Sequence, residues 1–426
     1  MKTISNPPKK EWTSLVRRPA LELDYLDSTV RNILHRVKTS GDAALIELAQ
    51  QFDQVTLSEL LVTPAELAAA ANALPDSLKQ AIELAARNIE TFHRVQTCTE
   101  APVETMPGVT CWRRSVPIES VGIYVPGGSA PLFSTVLMLA VPARIAGCQT
   151  VTMCTPPGKD GTIHPAILYA ASISGVTQIW KVGGAQAIAA MAYGTQSIGA
   201  VCKIFGPGNQ YVTKAKQLIN ADGIAIDMPA GPSEVLVVAD AAADPSFVAA
   251  DLLAQAEHGA DSQVVLLTNH DPLIGKVQSA IQRQLTHLPR QAVAQQALQN
   301  SLAIYFSHRE DITAFSNAYA PEHLILNTAD ADVWSSAFTN AGSVFLGPYT
   351  PESAGDYASG TNHTLPTNGS ARAFSGVSLD SFVKKITYQR ISPAGLRNLG
   401  PAVEILAEAE SLKAHKEAVS VRLKAL

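Results

Sequence analysis

Between residues 121 and 211 the chain repeats one design: a short β-branched apolar run, a glycine-bearing turn, then a stretch of helical periodicity. Residues 121–125 lead into Pro126-Gly127-Gly128 and a helical pattern over 132–146, and a strand at 151–154 and a helix at 166–173 follow. Residues 178–182 lead into Gly183-Gly184 and a helix over 185–193, and residues 201–205 into Gly206-Pro207-Gly208-Asn209 and a helix starting close to Tyr211. Strands joined through helices run parallel, so the pattern predicts an α/β fold with a sheet covered by helices. In such a sheet the glycines mark the C-terminal ends of the strands, where backbone can approach a phosphate closely. No G-x-G-x-x-G with an acidic residue about 20 positions on follows any of these strands. The glycines by themselves therefore fit tight turns without ligand equally well.

A second α/β region spans 235–347, with strand candidates at 235–238, 264–267, 303–306, 324–326 and 343–346, and two sheets are expected. Residues before Glu119 are rich in Ala, Leu and Glu, with helical periodicity at 45–52, 64–73 and 77–95, and should be mainly helical. Residues 355–375 read as a long polar loop, and 400–426 as a helical tail. With 426 residues, 46% of them hydrophobic, the chain can bury more than one core. A net charge of -5 and scattered basic residues exclude nucleic acid as the expected partner. No stretch is long and apolar enough for a membrane span, and residues 1–12 lack the apolar centre of a secretory signal. Five cysteines without a C-x-x-C spacing suit a reduced, cytoplasmic setting; Cys148 and Cys154 read as small buried hydrophobes.

Residues 251–259 read as a helix C-terminus capped by Gly259, with Gln255 and His258 on one face and able to reach one ion. A solvated histidine favoured by the helix dipole explains the same residues. In Ala320-Pro321-Glu322-His323 the proline keeps Ala320 out of the α region and sets a carboxylate beside an imidazole, a pair suited to acid–base work. The polar loop adds Asp356 and His363. The tail adds Glu410 and His415, about 140° apart on an ideal helix. Gln255, His258, Asp356 and His415 form a nitrogen-and-oxygen set without thiolates, suited to zinc or another divalent ion, but no spacing rule links them.

Longer strings carry more information. Val121-Gly-Ile-Tyr-Val-Pro-Gly-Gly-Ser-Ala-Pro-Leu-Phe-Ser-Thr-Val, Gly183-Gly-Ala-Gln-Ala, Phe205-Gly-Pro-Gly-Asn, Asp227-Met-Pro-Ala-Gly-Pro-Ser-Glu and Gln255-Ala-Glu-His resemble the histidinol dehydrogenase family. So do Ala320-Pro-Glu-His-Leu, Ser353-Ala-Gly-Asp-Tyr, Gly360-Thr-Asn-His-Thr-Leu-Pro-Thr and His415. The first hundred or so residues match only loosely.

The resemblance implies a zinc- and NAD-dependent, four-electron oxidation of L-histidinol through an aldehyde to L-histidine, with one zinc per subunit. It assigns the zinc to Gln255, His258, Asp356 and His415, and these four with Ser233, His323, His363 and Glu410 to the substrate. Tyr124, Gln186 and Asn209 are assigned to NAD, His323 to proton transfer and Glu322 to activating water. It further implies a homodimer whose tails cross to complete the neighbouring site. The expected architecture is two incomplete Rossmann-like domains, 21–123 with 234–377 for metal and catalysis and 124–233 for NAD. Residues 1–20 form an N-terminal extension making dimer contacts, and 378–426 the exchanged tail. Competing readings are a related dehydrogenase of another amino alcohol or polyol, and a metal-dependent hydrolase using Glu322 as base without a nucleotide. A thiol route through Cys148 or Cys154 is the mechanistic rival.

Overall fold

The computed structural model describes residues 1–18, 24–127, 131–228 and 231–426. Gly128 of the first glycine turn, Ser129 and Ala130 after it, and Pro229 and Ala230 lie outside the described residues. The chain forms two compact units, one of Met1–Arg94 with Ile118–Phe382 and one of Val95–Pro117 with Val383–Leu426.

In chain order the strands begin with β1 (Lys2–Ser5), β2 (Val103–Met106), β3 (Val109–Pro117), β4 (Ser120–Tyr124) and β5 (Thr150–Thr155). They continue with β6 (Gln178–Lys181), β7 (Lys203–Phe205), β8 (Ala225–Ile226), β9 (Glu234–Ala239) and β10 (Gln263–Thr268). The last are β11 (Leu302–Tyr305), β12 (His323–Asn327), β13 (Ser343–Leu346) and β14 (Val383–Ile391).

The first unit holds two parallel sheets, β6-β5-β4-β7-β8 and β1-β11-β10-β9-β12-β13. Both wind alike. Apart from β1, which the N-terminus adds at the edge beside β11, the chain starts in the middle (β4, β9), steps outward on one side, and returns to the other side of that middle strand (β7, β12), leaving a switch point between those two strands. Continuous apolar runs make this possible: every residue of β9 and β10 is buried, as strands covered by helices on both faces require. Capping fixes the helix starts, with Asn209 Oδ1 accepting from the Tyr211 and Val212 N–H groups and Asp244 Oδ1 from Ser246 N–H. At the first switch point β4 and β7 crowd together. Gly206 has φ +123°, and a Cβ there would stand 2.1 Å from the Tyr124 carbonyl oxygen, so only glycine fits.

Helices Asp27–Ser40 and Asp42–Leu48 share a core with Tyr124, Cys154, Trp180 and Ala185, and Pro64–Ala73 and Asp76–Arg94 share one with Val121, Ile123 and Val136. These helices thus pack on the five-stranded sheet. The N-terminal stretch packs on the six-stranded sheet. Lys2–Ser5 pairs with β11, and Trp12 packs edge-on against Phe306 and Phe315.

The stretch before Glu119 is mainly helical, as expected, but β2 and β3 escaped the sequence reading and join β14 in the antiparallel sheet β14-β3-β2 of the second unit; only one end of β3 is well buried, so its apolar signal is weak. The tail is two helices, Pro393–Ala409 and Lys413–Lys424, broken where Ser411 takes φ +61°. Glu410 and His415 thus flank the break, and an ideal-helix angle between them has no meaning.

Candidate active site

The polar centre of the first unit lies where β9 and β12 begin. Glu234 opens β9, His323 opens β12 with Glu322 immediately before it, and the two carboxylates are tied crosswise. Glu234 N–H donates to Glu322 Oε2 at 3.0 Å, and Glu322 N–H donates to Glu234 Oε1 at 3.2 Å. The turn into β12 is set by Ala320 at φ +53°, outside the right-handed α region as the following proline requires. Glu234 is buried and takes a two-pronged ion pair from Arg18, at 2.6 and 2.9 Å. The Arg18 guanidinium lies 3.5 Å from the centre of the Tyr319 ring.

His323 is only 3% exposed. Its Nδ1 lies 3.2 Å from the Glu234 carbonyl oxygen and 3.3 Å from Gln255 Nε2, and its Nε2 lies 3.5 Å from Asp356 Oδ1. Glu322 and Glu352 stand 3.7 and 4.0 Å from Nδ1. Burial alone would lower the His323 pKa, but the Glu352, Glu322 and Asp356 carboxylates together raise it to about 10. Burial pushes Glu322 up to about 8, against the pull of His323. Burial opposes ionisation of Asp356 as well, yet His323 facing it holds this carboxyl below its ordinary range.

Gln255 sits in the last turn of helix Pro245–Ala256; His258 lies two residues past that helix and is exposed. Asp356 and Glu352 belong to helix Glu352–Tyr357, within the stretch expected to begin a loop. One ligand atom from each of His258, Glu352 and Asp356 lies within 4.8 Å of the others. Gln255 Oε1, His323 Nε2 and both Glu352 carboxylate oxygens are buried without a hydrogen-bond partner. Burial pushes Glu352 up to about 8 as well, so two of the three carboxyl groups around this imidazole resist ionising, and a cation bound here would displace their protons. An oxygen-and-nitrogen donor set with orphaned buried acceptors is what a divalent cation would satisfy, so the residues fit a metal.

His363 joins this group, with Nδ1 2.9 Å from the Asp356 carbonyl oxygen and Nε2 3.4 Å from Thr135 Oγ1. Ser233 is half-buried immediately before β9, and its carbonyl accepts from Gln263 N–H. Glu410 and His415 are carried, exposed, by the second unit.

The nucleotide candidates lie at the opposite strand ends, in the other sheet. Tyr124 closes β4, buried, and its hydroxyl accepts from Gly184 N–H at 3.0 Å. Gln186 is buried in the first turn of helix Gly184–Tyr193, and Asn209 caps helix Gln210–Ala221. Gly206 N–H donates to Asp227, which is paired in turn with the buried Lys216. Neither cysteine is poised as a thiolate, because burial pushes Cys148 up to about 11 and Cys154 higher still.

Sequence reasoning missed Glu352, Glu234 and Arg18 as site residues. Glu352 carried a signal, since it stands four residues before Asp356 and so shares its helix face. Glu234 did too, as a charge opening a wholly apolar run. Arg18, 216 positions from its partner, carried none.

The family model for histidinol dehydrogenase matches residues 16–423. The chain belongs to the histidinol dehydrogenase family. Histidinol dehydrogenase of Bacteroides thetaiotaomicron is 58% identical over 426 residues, covering all of both chains, so the likeness extends through the first hundred residues. That of Salmonella typhi is 55% identical over 420 residues, covering 98% of this chain and 96% of its own. The crystal structure of histidinol dehydrogenase from Elizabethkingia anophelis superposes with a TM-score of 0.98 at 55% identity, covering 100% of this chain and 98% of that one. Among the described residues no helix is long and apolar enough to cross a membrane.

Proposed function

We propose that this chain oxidises L-histidinol through the aldehyde to L-histidine, passing two hydrides to NAD at a zinc-bearing site. The observation that carries the reading is the buried Glu322–His323 pair beside unpartnered donors suited to a cation, in a chain of this family. Gln255, His258 and Asp356 hold the zinc, with His415 of the tail as the remaining ligand. When bound, the zinc supplies a fixed positive charge that anchors the substrate's nitrogens and stabilises developing negative charge on its oxygen. Tyr124, Gln186 and Asn209 hold the NAD, whose nicotinamide ring accepts hydride.

The surrounding carboxylates favour protonated His323, and a bound cation would offset them; neutral His323 then takes the alcohol proton as the carbon–hydrogen bond gives up its electron pair, leaving the aldehyde. Glu322 then removes a proton from water as it adds to the aldehyde carbon. His323 accepts a proton again as the hydrate loses its second hydride, leaving the carboxylate. Raising the Glu322 pKa toward 8 makes this carboxylate a stronger base than an exposed one. Ser233, His363 and Glu410 orient the substrate, and retention of the aldehyde keeps it from reacting elsewhere. In this reading the enzyme is a cytoplasmic homodimer whose exchanged tails bring Glu410 and His415 to the neighbouring subunit's site.

The test is NADH formed per L-histidinol consumed, with zinc-loaded and chelator-stripped protein. About two NADH per substrate, lost on stripping and regained with zinc while the protein stays folded, supports the reading. One NADH removes the second step and the role of Glu322; none from folded, zinc-loaded protein removes histidinol as the substrate.

A further inference from the structure

Among the described residues Arg18 hydrogen-bonds to no group assigned to zinc, NAD or substrate, yet its bonds close a ring around the turn that carries Glu322. Its side chain is 6% exposed and that of Glu234 1%. Nε donates to Glu234 Oε2 at 2.6 Å, and Nη2 donates to Glu234 Oε1 at 2.9 Å. The same Oε1 accepts from Glu322 N–H at 3.2 Å, and the same Nη2 reaches the Ala320 carbonyl oxygen at 3.3 Å. One guanidinium thus grips the turn at Ala320, whose φ is +53°, and, through Glu234, at Glu322. The Tyr319 ring under the guanidinium is itself fixed, its hydroxyl donating to Gln263 Oε1 at 2.8 Å. A buried, two-pronged guanidinium–carboxylate pair holds a single geometry and imposes it on what it touches.

Glu322 depends on this hold more than His323 does. His323 lies inside the strand ladder, in register with Val235 on one side and Ser343 on the other. Glu322 stands just ahead of the ladder, where its carbonyl accepts from Ser343 N–H and its Oε2 accepts from Glu234 N–H at 3.0 Å. With Oε2 held in this way, Oε1 is the oxygen left to take a proton from water.

We propose that Arg18 is a positioning residue for the second half of the reaction: with Glu234 it fixes the turn and the Glu322 carboxylate for the addition of water to the aldehyde. The inference rests on the two-step reading above and deepens it. Arg18 acts through Glu234 and the Ala320 carbonyl, and therefore governs oxidation of the aldehyde more than oxidation of the alcohol.

The experiment uses full-length, zinc-loaded protein with NAD. NADH is followed in a single turnover from L-histidinol and, separately, from added L-histidinaldehyde; parallel steady-state assays contain semicarbazide to trap aldehyde that escapes. Arg18→Met is expected to slow the aldehyde step on the order of 100-fold, while the first NADH from histidinol slows by less than about threefold and KM moves as little. The semicarbazone then accumulates, and NADH per histidinol falls from about two toward one. Should Arg18→Met not fold, Arg18→Met combined with Glu234→Gln leaves no stranded charge and carries the same expectation. Equal slowing of both steps in the folded variant would reduce Arg18 to a structural role and overturn the proposal. So would an aldehyde step within about threefold of wild type. Two NADH per histidinol from wild type and variant alike, with the trap present, removes this inference alone. A wild type that yields one NADH, or does not oxidise the added aldehyde, removes the two-step reading and the inference with it.

Discussion

The two parallel sheets of the first unit wind in the same order, yet they carry their polar groups at opposite ends. In the five-stranded sheet the candidate groups stand at the C-terminal strand ends, beside glycine turns, and are neutral: Tyr124, Gln186 and Asn209. In the six-stranded sheet they stand at the strand starts, where Glu234, Glu322 and His323 meet Gln255 from a helix C-terminus. The first end offers neutral side chains at glycine turns and helix N-termini, the end of an open α/β sheet where nucleotides bind. The second gathers buried carboxylates, which suits a cation and proton transfer. Topology alone therefore does not say which end of a sheet works; the distribution of charge does.

The comparison breaks if the two ends are not independent. The largest effect is expected for His323→Asn, which should lower the rate of NADH formation by about 10²- to 10⁴-fold while leaving nucleotide affinity unchanged. A parallel loss of nucleotide binding, read by calorimetry, would show one coupled site instead of two ends. Next comes Arg18→Ala, which strands the buried Glu234 carboxylate and should cost about 3–5 kcal/mol of stability in urea unfolding. A loss below about 1 kcal/mol would mean that this edge behaves like a solvated surface.

Tyr124→Phe sharpens the contrast from the other side. It leaves the Gly184 N–H without its partner and should cost about 1–3 kcal/mol, with Zn2+ affinity unaltered. The smallest expected effect belongs to Asp53, close enough to the Tyr124 phenol to raise its pKa, and itself pushed by burial from 3.8 up to about 6. A raised carboxyl means that the folded state binds the proton more tightly, so this group costs the wild type stability as pH rises from about 4 to about 6. Thermal midpoints of Asp53→Asn should therefore gain on the wild type across that interval and run parallel to it above. An equal gap at pH 4 and pH 7 would show that burial does not perturb this carboxyl.

The sequence by itself determined the class of fold, the strands of both parallel sheets apart from β1 and β8 to within a residue or two, the glycine turns and the Pro-Glu-His corner. These are local features: apolar runs, punctuation and caps depend on residues a few positions apart. The weakly buried strands of the second unit escaped, because half-exposed alternation with charged residues resembles the face of a helix. Likewise, the break at Ser411 needs a left-handed residue that no glycine announced. Only the tertiary structure decided which sheet the helices of residues 27–94 cover, and that Arg18, Glu234 and Glu322 form one charge network. It alone showed Glu352 buried without a hydrogen-bond partner, beside His258 and Asp356. Those facts join positions up to 216 residues apart, and no periodicity spans such a distance. They follow from the energy of burying charge, which is settled only when the chain has closed around it.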